Sequence, residues 1–297
     1  MPKSPHQPPA LRGKIFRGSA VCRSGLLTAA QLRSTAWRRL FRDVYADAHL
    51  PVTHHLRAWA AARHILPDEA AVAGRSAACL YGARLLDDDS PVEVLTSRDF
   101  GPVAGLRIRR GPLPPEHLIR RADGIPVTSP ARTCWDICRW VPVEDSVAYL
   151  DALLGLPVLT SGDLRTFVAA RRDEIGWSRV AKTASLTDAA AESPQESRLR
   201  VGLVLAGFPV PVSQYVLAVR GAFVARFDLA WPEFRVAVEY DGAWHADRDQ
   251  LERDRSRLNR VLGAGWIVIH VTAARMRDDF PGIVHEVRAA LRMRVPR

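Results

Sequence analysis

Cysteine is scarce in this chain: Cys22, Cys79, Cys134 and Cys138 are the only four in 297 residues, and no two form a CxxC pair. So few thiols cannot staple a chain of this length, and their spacing does not clip a structural zinc. They read as small buried hydrophobes of a reducing compartment. Long apolar runs are missing as well. No stretch approaches the roughly 20 residues that span a bilayer, and MPKSPHQPPALRGKIFRG carries proline and charge but no apolar export segment. The expectation is a cytoplasmic protein with no membrane partner. With 47% hydrophobic and 25% charged residues, neither wholesale disorder nor a fibrous repeat fits.

What is present in excess is positive charge: 42 Lys and Arg against 32 Asp and Glu, a net +10. Residues 1–50 hold nine bases and two acids, residues 51–195 hold 17 and 18, and residues 196–297 hold 16 and 12. Two basic ends flanking a neutral middle point to a polyanionic partner, DNA foremost; a merely solvated basic surface is the plainer alternative.

At about 100 to 200 residues per domain, the length predicts two or three units. Residues 1–13, with Pro2, Pro5, Pro8 and Pro9, read as a disordered tail. Residues 14–52 read as a small basic unit, with a short helix capped by Thr28 and a strand at 44–46. Residues 53–186 are α+β in texture, with helices at 54–66, 75–81 and 131–140, strands at 92–95 and 106–110, and helical patterns at 143–154, 161–171 and 177–184. The polar stretch TDAAAESPQ (187–195) marks a last boundary, and residues 190–297 form a further domain. There a helix at 194–206 precedes strands at 212–219, 223–230 and 235–240. A charged helix at 247–262, a strand at 266–271 and a helix at 281–293 follow, giving the order αβββαβα.

Two-residue alternation in the strand 223–230 predicts Phe223, Ala225, Phe227 and Leu229 on one face and Val224, Arg226 and Asp228 on the other. In the next strand Val236, Val238 and Tyr240 share a face, and Glu239 and Asp241 share the opposite one. If the strands are neighbours, Asp228 comes opposite Glu239 or Asp241, and carboxylates converge with no lysine among them. Such a group repels itself unless neutralised. A hard divalent cation, Mg2+ or Mn2+, with water and a substrate phosphate completing its shell, would do so and would serve phosphodiester cleavage. His245, past the Asp241-Gly242 turn, is placed to move a proton. The alternative is a polar cluster in which Arg226, Arg253 or Arg257 neutralises Asp228 and Glu239. Arg253, Arg257 and Arg260 recur at helical spacing, either as a solvated face or as phosphate contacts. Trp244 reads as a lid or a base-stacking platform, and His270 and His285 as partly buried structural histidines.

FDLAWPEFRVAVEYDGAWH, with ESPQESRLR before it and DRSRLNRVLGAGWIVIHVT after it, resembles the core of the DUF559 proteins. These are relatives of the very-short-patch repair endonucleases in the PD-(D/E)XK superfamily. The resemblance covers roughly residues 190–295 and implies a restriction-endonuclease-like core. Asp228 and Glu239 match its metal-binding acids and Glu196 its first-helix acid, although a first-turn acid favoured by the helix dipole explains Glu196 equally. Asp241 stands where the superfamily's lysine usually is, and a histidine such as His245 is thought to assist.

GLLTAAQLR, WRRLFRDVYADAH, GRSAACLYGARLL and GIPVTSPARTCWDICR resemble, over roughly residues 18–185, the antitoxins of abortive-infection type IV toxin–antitoxin systems. That likeness implies a winged-helix-like module followed by an α+β domain. Only four residues separate Leu32 from Trp37, where the family fits its DNA-reading helix, which leaves Arg38, Arg39 and Arg42 as phosphate contacts or scaffold. The sequence therefore predicts a metal-dependent endonuclease acting on DNA in repair or defence. Its rival is a non-catalytic DNA-binding regulator or antitoxin with a cognate toxin protein as partner.

Overall fold

The computed structural model describes residues 5–242 and 257–294 and gives an α+β chain with three separate sheets, divided into two compact units. The first runs to Trp140 and takes in Thr166–Ala170; the second holds Val141–Arg165 and the residues from Arg171 onward.

In the first unit, β1 (Ile15–Arg17), β2 (Trp37–Phe41) and β3 (Val44–Asp47) form an antiparallel sheet in the order β1-β3-β2. Helix α1 (Gly18–Arg23) is short. A reciprocal cap, in which Thr28 N donates to Gln31 Oε1 at 2.7 Å and Gln31 N to Thr28 Oγ1 at 3.2 Å, starts only a three-residue 3-10 turn, Gln31–Arg33. The start of the chain is not tail throughout: Leu11 is buried with Phe16, Val21 and Trp37, and Gly13 N donates to Asp47 Oδ2 at 2.7 Å. Pro9 sits at the first position of a 3-10 turn, where its fixed φ favours order.

Helix α2 (His54–His64), β4 (Ala70–Val72), α3 (Gly74–Tyr81), β5 (Val92–Thr96), β6 (Leu106–Arg110), β7 (Leu118–Arg120), β8 (Pro126–Thr128) and α4 (Pro130–Trp140) follow. The strands form a sheet in the order β6-β5-β4-β8-β7. Phe41, Val44 and Ala46 share one core with Ala58, Val72, Val94 and Val127, so residues 14–52 and those that follow pack as one body. Cys134 and Cys138 are buried in α4, and burial pushes the Cys134 thiol well above its ordinary value.

Helices α5 (Val143–Leu154), α6 (Ser161–Ala169), α7 (Trp177–Ser185) and α8 (Pro194–Leu205) come next. Asp151 on α5 accepts hydrogen bonds from Arg200 Nη2 (2.7 Å), Ser197 Oγ (2.8 Å) and Asp188 N (2.8 Å). Arg198 binds Asp145 at 2.7 Å. Buried polar groups must find partners, and these lie on both sides of the boundary read at residues 187–195, which therefore falls inside the second unit.

The second unit's sheet has the order β12-β11-β10-β9, built from β9 (Val212–Val219), β10 (Ala222–Trp231), β11 (Val236–Asp241) and β12 (Ile267–Thr272). Pairing is antiparallel except between β11 and β12. Helix α9 (residues 257–263) precedes β12, and α10 (Ala273–Asp278) and α11 (Phe280–Arg294) follow it. Leu199 and Leu203 of α8 and Ile283 and Val287 of α11 bury one sheet face with Leu229, Val238 and Val271. The helices approach closely at Gly202, where an added Cβ would lie 2.5 Å from the Phe280 ring. Ala225, Phe227 and Ala237 face the other way, toward Val261 and Trp266.

Strict alternation in β10 does not hold. Phe227 and Leu229, expected on one face, belong to opposite clusters, and Val224 is buried beside Ala225 instead of facing away from it. One cause is a register shift between Phe223 and Ala225. On the neighbouring strand Gln214, which the register places opposite Asp228, is also irregular, with a left-handed φ of 53°.

Candidate functional site

Helix α8 begins with Ser193, whose hydroxyl accepts from Glu196 N at 3.2 Å, and Pro194 in its first turn. This start turns Glu196 inward, where it is buried and its Oε2 accepts from Gln214 Nε2 (2.8 Å) and Glu192 N (3.1 Å). On β10, Asp228 lies one residue beyond the last registered pair with β11, Leu229 and Val238. Its Oδ2 accepts the backbone N–H of Tyr240 at 2.8 Å, in place of a ladder bond. Glu239 follows Val238 on β11 and is buried.

Electrostatics records this convergence. The Asp228 carboxyl is raised to about 6, first by burial and then by the charges of Glu196 and Glu239, against the lowering effect of hydrogen bonds from Tyr240 and Gln214. The three acids come from three elements, α8, β10 and β11. Their neutralisation is uneven. Arg257 on α9 donates to Glu239 Oε1, and Arg226 is bidentate to Glu192, both contacts at 2.8 Å. Asp228 has no guanidinium partner among the described residues. Nor, among those residues, do three His, Cys, Asp or Glu side chains stand in an arrangement able to hold a metal ion. With Glu239 drawn to Arg257, the acids do not close on a common centre.

Asp241 ends β11 and pairs with His270 on β12, at 3.2 Å from Nδ1, while Glu239 lies 3.9 Å from the same nitrogen. The His270 side chain is 44% exposed, and His285 on α11 is exposed, so both are more open than the partly buried histidines expected. In-register pairing of Glu239 with His270 across the parallel strands brings the imidazole to the acids. Strand periodicity alone does not reveal that pairing. Nor does it reveal Gln214, because a lone glutamine in the strand VSQYVLAV carries no signal of its own. Trp244, His245 and Arg253 lie outside the described residues. Arg260 is exposed on α9.

In the first unit, Arg38 and Arg39 on β2 and Arg42 in the turn to β3 are exposed, as are Arg12, Lys14, Arg17, Arg23 and Arg33. The two nearby acids are engaged. Asp43 binds Ser19 N and Oγ, and Asp47 binds Gly13 N, His49 N and the His49 ring. Burial alone would raise Asp47, but these donors together with Gln7 outweigh it and bring it to about 2. A concavity lined by Trp59, Arg63, Arg120 and Asp123 contains none of the residues singled out above.

No helix among the described residues is long and apolar enough to cross a membrane. No family model matches the chain. Two uncharacterized proteins of Mycobacterium tuberculosis, MT2308 and Rv2248, are each 30% identical to it over 165 residues. The match covers 55% of this chain and 60% of each relative. The crystal structure of the RV2827C protein from the same organism aligns with 71% of this chain and 85% of its own, at 14% identity and a TM-score of 0.41, a likeness too slight to carry an argument.

Proposed function

We propose that the second unit is a restriction-endonuclease-like, divalent-cation-dependent hydrolase of DNA phosphodiester bonds, and that the winged-helix-like sheet of the first unit contributes phosphate contacts. The observation that carries this reading is the nearness of Glu196 and Glu239, from a helix and a strand, to Asp228 on the neighbouring strand, with the Asp228 carboxyl raised to about 6 partly by their two charges. A half-buried acid whose charge is not offset destabilises a fold, and a carboxyl perturbed in this way, as at Asp228, marks a candidate functional site. The donors are of the type that Mg2+ or Mn2+ takes, hard oxygens throughout, although the described side chains are not arranged about one centre. When bound, the cation would polarise the scissile phosphate and lower the pKa of an attacking water.

In this reading Asp228 and Glu239 bind the ion and Glu196 braces the site through Gln214. Arg257 and Arg260 hold backbone phosphates, and Asp241 orients His270. The proton role assigned to His245 from the sequence belongs to the same proposal. One observation favours a regulator that binds DNA without cutting it, with a toxin protein as its partner: the Arg257–Glu239 ion pair, which occupies a required carboxylate. Nicking of supercoiled plasmid in Mg2+ or Mn2+ separates the two. Asp228→Ala is expected to abolish cleavage shown by the wild type. Undiminished cleavage overturns the site assignment, and a wild type that binds DNA without cutting it in either metal supports the regulator.

A further inference from the structure

The second unit's sheet ends on β9, which among the described residues pairs only with β10. An edge strand leaves alternate backbone N–H and C=O groups unpaired, and stable folds blunt such rows with charge, proline or irregular backbone. The other sheet edges of this chain follow that rule. Arg17 on β1, Arg38 and Arg39 on β2, Arg107, Arg109 and Arg110 on β6 and Arg120 on β7 put charge on four of them. At the fifth, β12, Arg275 Nη1 donates to the His270 carbonyl at 3.3 Å. By contrast β9, VSQYVLAV, has neither charge nor proline. Its left-handed residue, Gln214, lies near its start and leaves Tyr215–Val219 without any of these devices. That half carries exposed apolar side chains: Val216 is 53% exposed and Val219 41%, and Phe223 of β10, paired with Ala218, is 64% exposed.

We propose that β9 pairs antiparallel with the β9 of a second copy of this chain, across a two-fold axis at Leu217, joining two four-stranded sheets into one. The inference does not depend on the hydrolase reading. Three features select a second copy as the occupant. An antiparallel pair is how a strand meets itself about a two-fold axis, the isologous contact of most dimers. The strand sets no charge against its own copy, whereas like charges directly opposite one another destabilise a pair. In this register Val216 comes opposite Ala218 of the second copy, and Tyr215 opposite Val219. Pairing covers on the order of 500 Å2 of each copy, about 1,000 Å2 in all, the lower limit for a specific interface, which matches a reversible dimer with a Kd on the order of 10 μM.

The test is sedimentation velocity of the full chain, without DNA or metal, from about 1 to 200 μM, a range that brackets the expected Kd. The mass is expected to rise from 32.9 kDa toward twice that value. Val216→Lys combined with Val219→Lys places like charges along the seam and is expected to weaken the dimer about fivefold or more. Circular dichroism should stay unchanged, because both positions are exposed. Hydrogen exchange locates the contact in the wild type: amides of residues 215–219 are expected to exchange more slowly at about 200 μM than at about 1 μM. Should the lysine variant not fold, that measurement decides. A wild type that stays at 32.9 kDa at about 200 μM overturns the proposal, even if the edge captures a different protein. So does a dimer that the folded lysine variant weakens less than about fivefold, or one that adds no protection at residues 215–219, since either places the contact elsewhere.

Discussion

The carboxylate of Asp228 takes the backbone N–H of Tyr240 at 2.8 Å just where the ladder between β10 and β11 stops. The side chain thereby stands in for a missing strand carbonyl, and Asp228 is fixed beside Glu239 by the sheet itself. Its position is set by strand pairing, and so is its electrostatic cost.

That cost has a sign. A carboxyl raised from 3.8 to about 6 in the folded protein binds its proton more tightly there than in the unfolded chain. Stability contributed by this group is therefore highest below pH 4, declines between pH 4 and 6, and is lowest above. Asp228→Asn should stabilise the protein at pH 7.5 by about 1 to 2 kcal/mol once solvent screening of a half-buried group is allowed for, and should change little at pH 4. Thermal unfolding of both proteins across that range checks it. Equal melting temperatures at pH 7.5 would remove the claim of a strained acid.

In the cation-binding reading, Arg257 competes with the ion for Glu239. Arg257→Gln is expected to tighten Mn2+ binding two- to fivefold, matching a partly exposed ion pair worth about 0.5 to 1 kcal/mol, while weakening DNA binding. Weaker Mn2+ binding in this variant would show that the arginine holds the site open instead of occupying it.

The pair Asp151 and Arg200 joins α5 to α8, with both side chains almost fully buried. Burial raises Asp151 to about 6 against the opposing charge of Arg200 and the Asp188 and Ser197 donors. Arg200→Met leaves a buried carboxylate alone and should destabilise by about 3 to 5 kcal/mol at pH 7.5, and by less at pH 5, where the acid takes a proton. Urea unfolding at the two pH values tests this; an equal loss at both would mean that Asp151 does not titrate as described.

Exposed Arg38, Arg39 and Arg42 predict a salt effect. Replacing all three with alanine should lower DNA affinity at low salt and reduce the slope of log K against log salt by about 2 to 3, near 0.9 for each phosphate that is no longer neutralised. An unchanged slope in a fluorescence-anisotropy titration would assign these residues to the scaffold.

Most helices and the longer strands are legible in the sequence because their signals are local: apolar periodicity, Pro130 and Pro194 at helix starts, Gly207 after α8. The strands β1, β4, β7 and β8 are not, since three residues are too few to display a period, and neither is the five-residue β2, whose consecutive arginines break the alternation. The limits of the second unit are not legible either, because TDAAAESPQ looks like a linker while Asp188, Ser197 and Arg200 all bind Asp151.

The sequence by itself determined which side chains carry the proposed chemistry: Glu196, Asp228 and Glu239, at spacings that regular elements bring into reach of one another. Only the tertiary structure decided the company they keep. Gln214 comes from β9, Arg257 from α9 and His270 from β12, each brought in by pairing or packing between segments distant in the chain, and such contacts leave no periodic trace in the residues that make them.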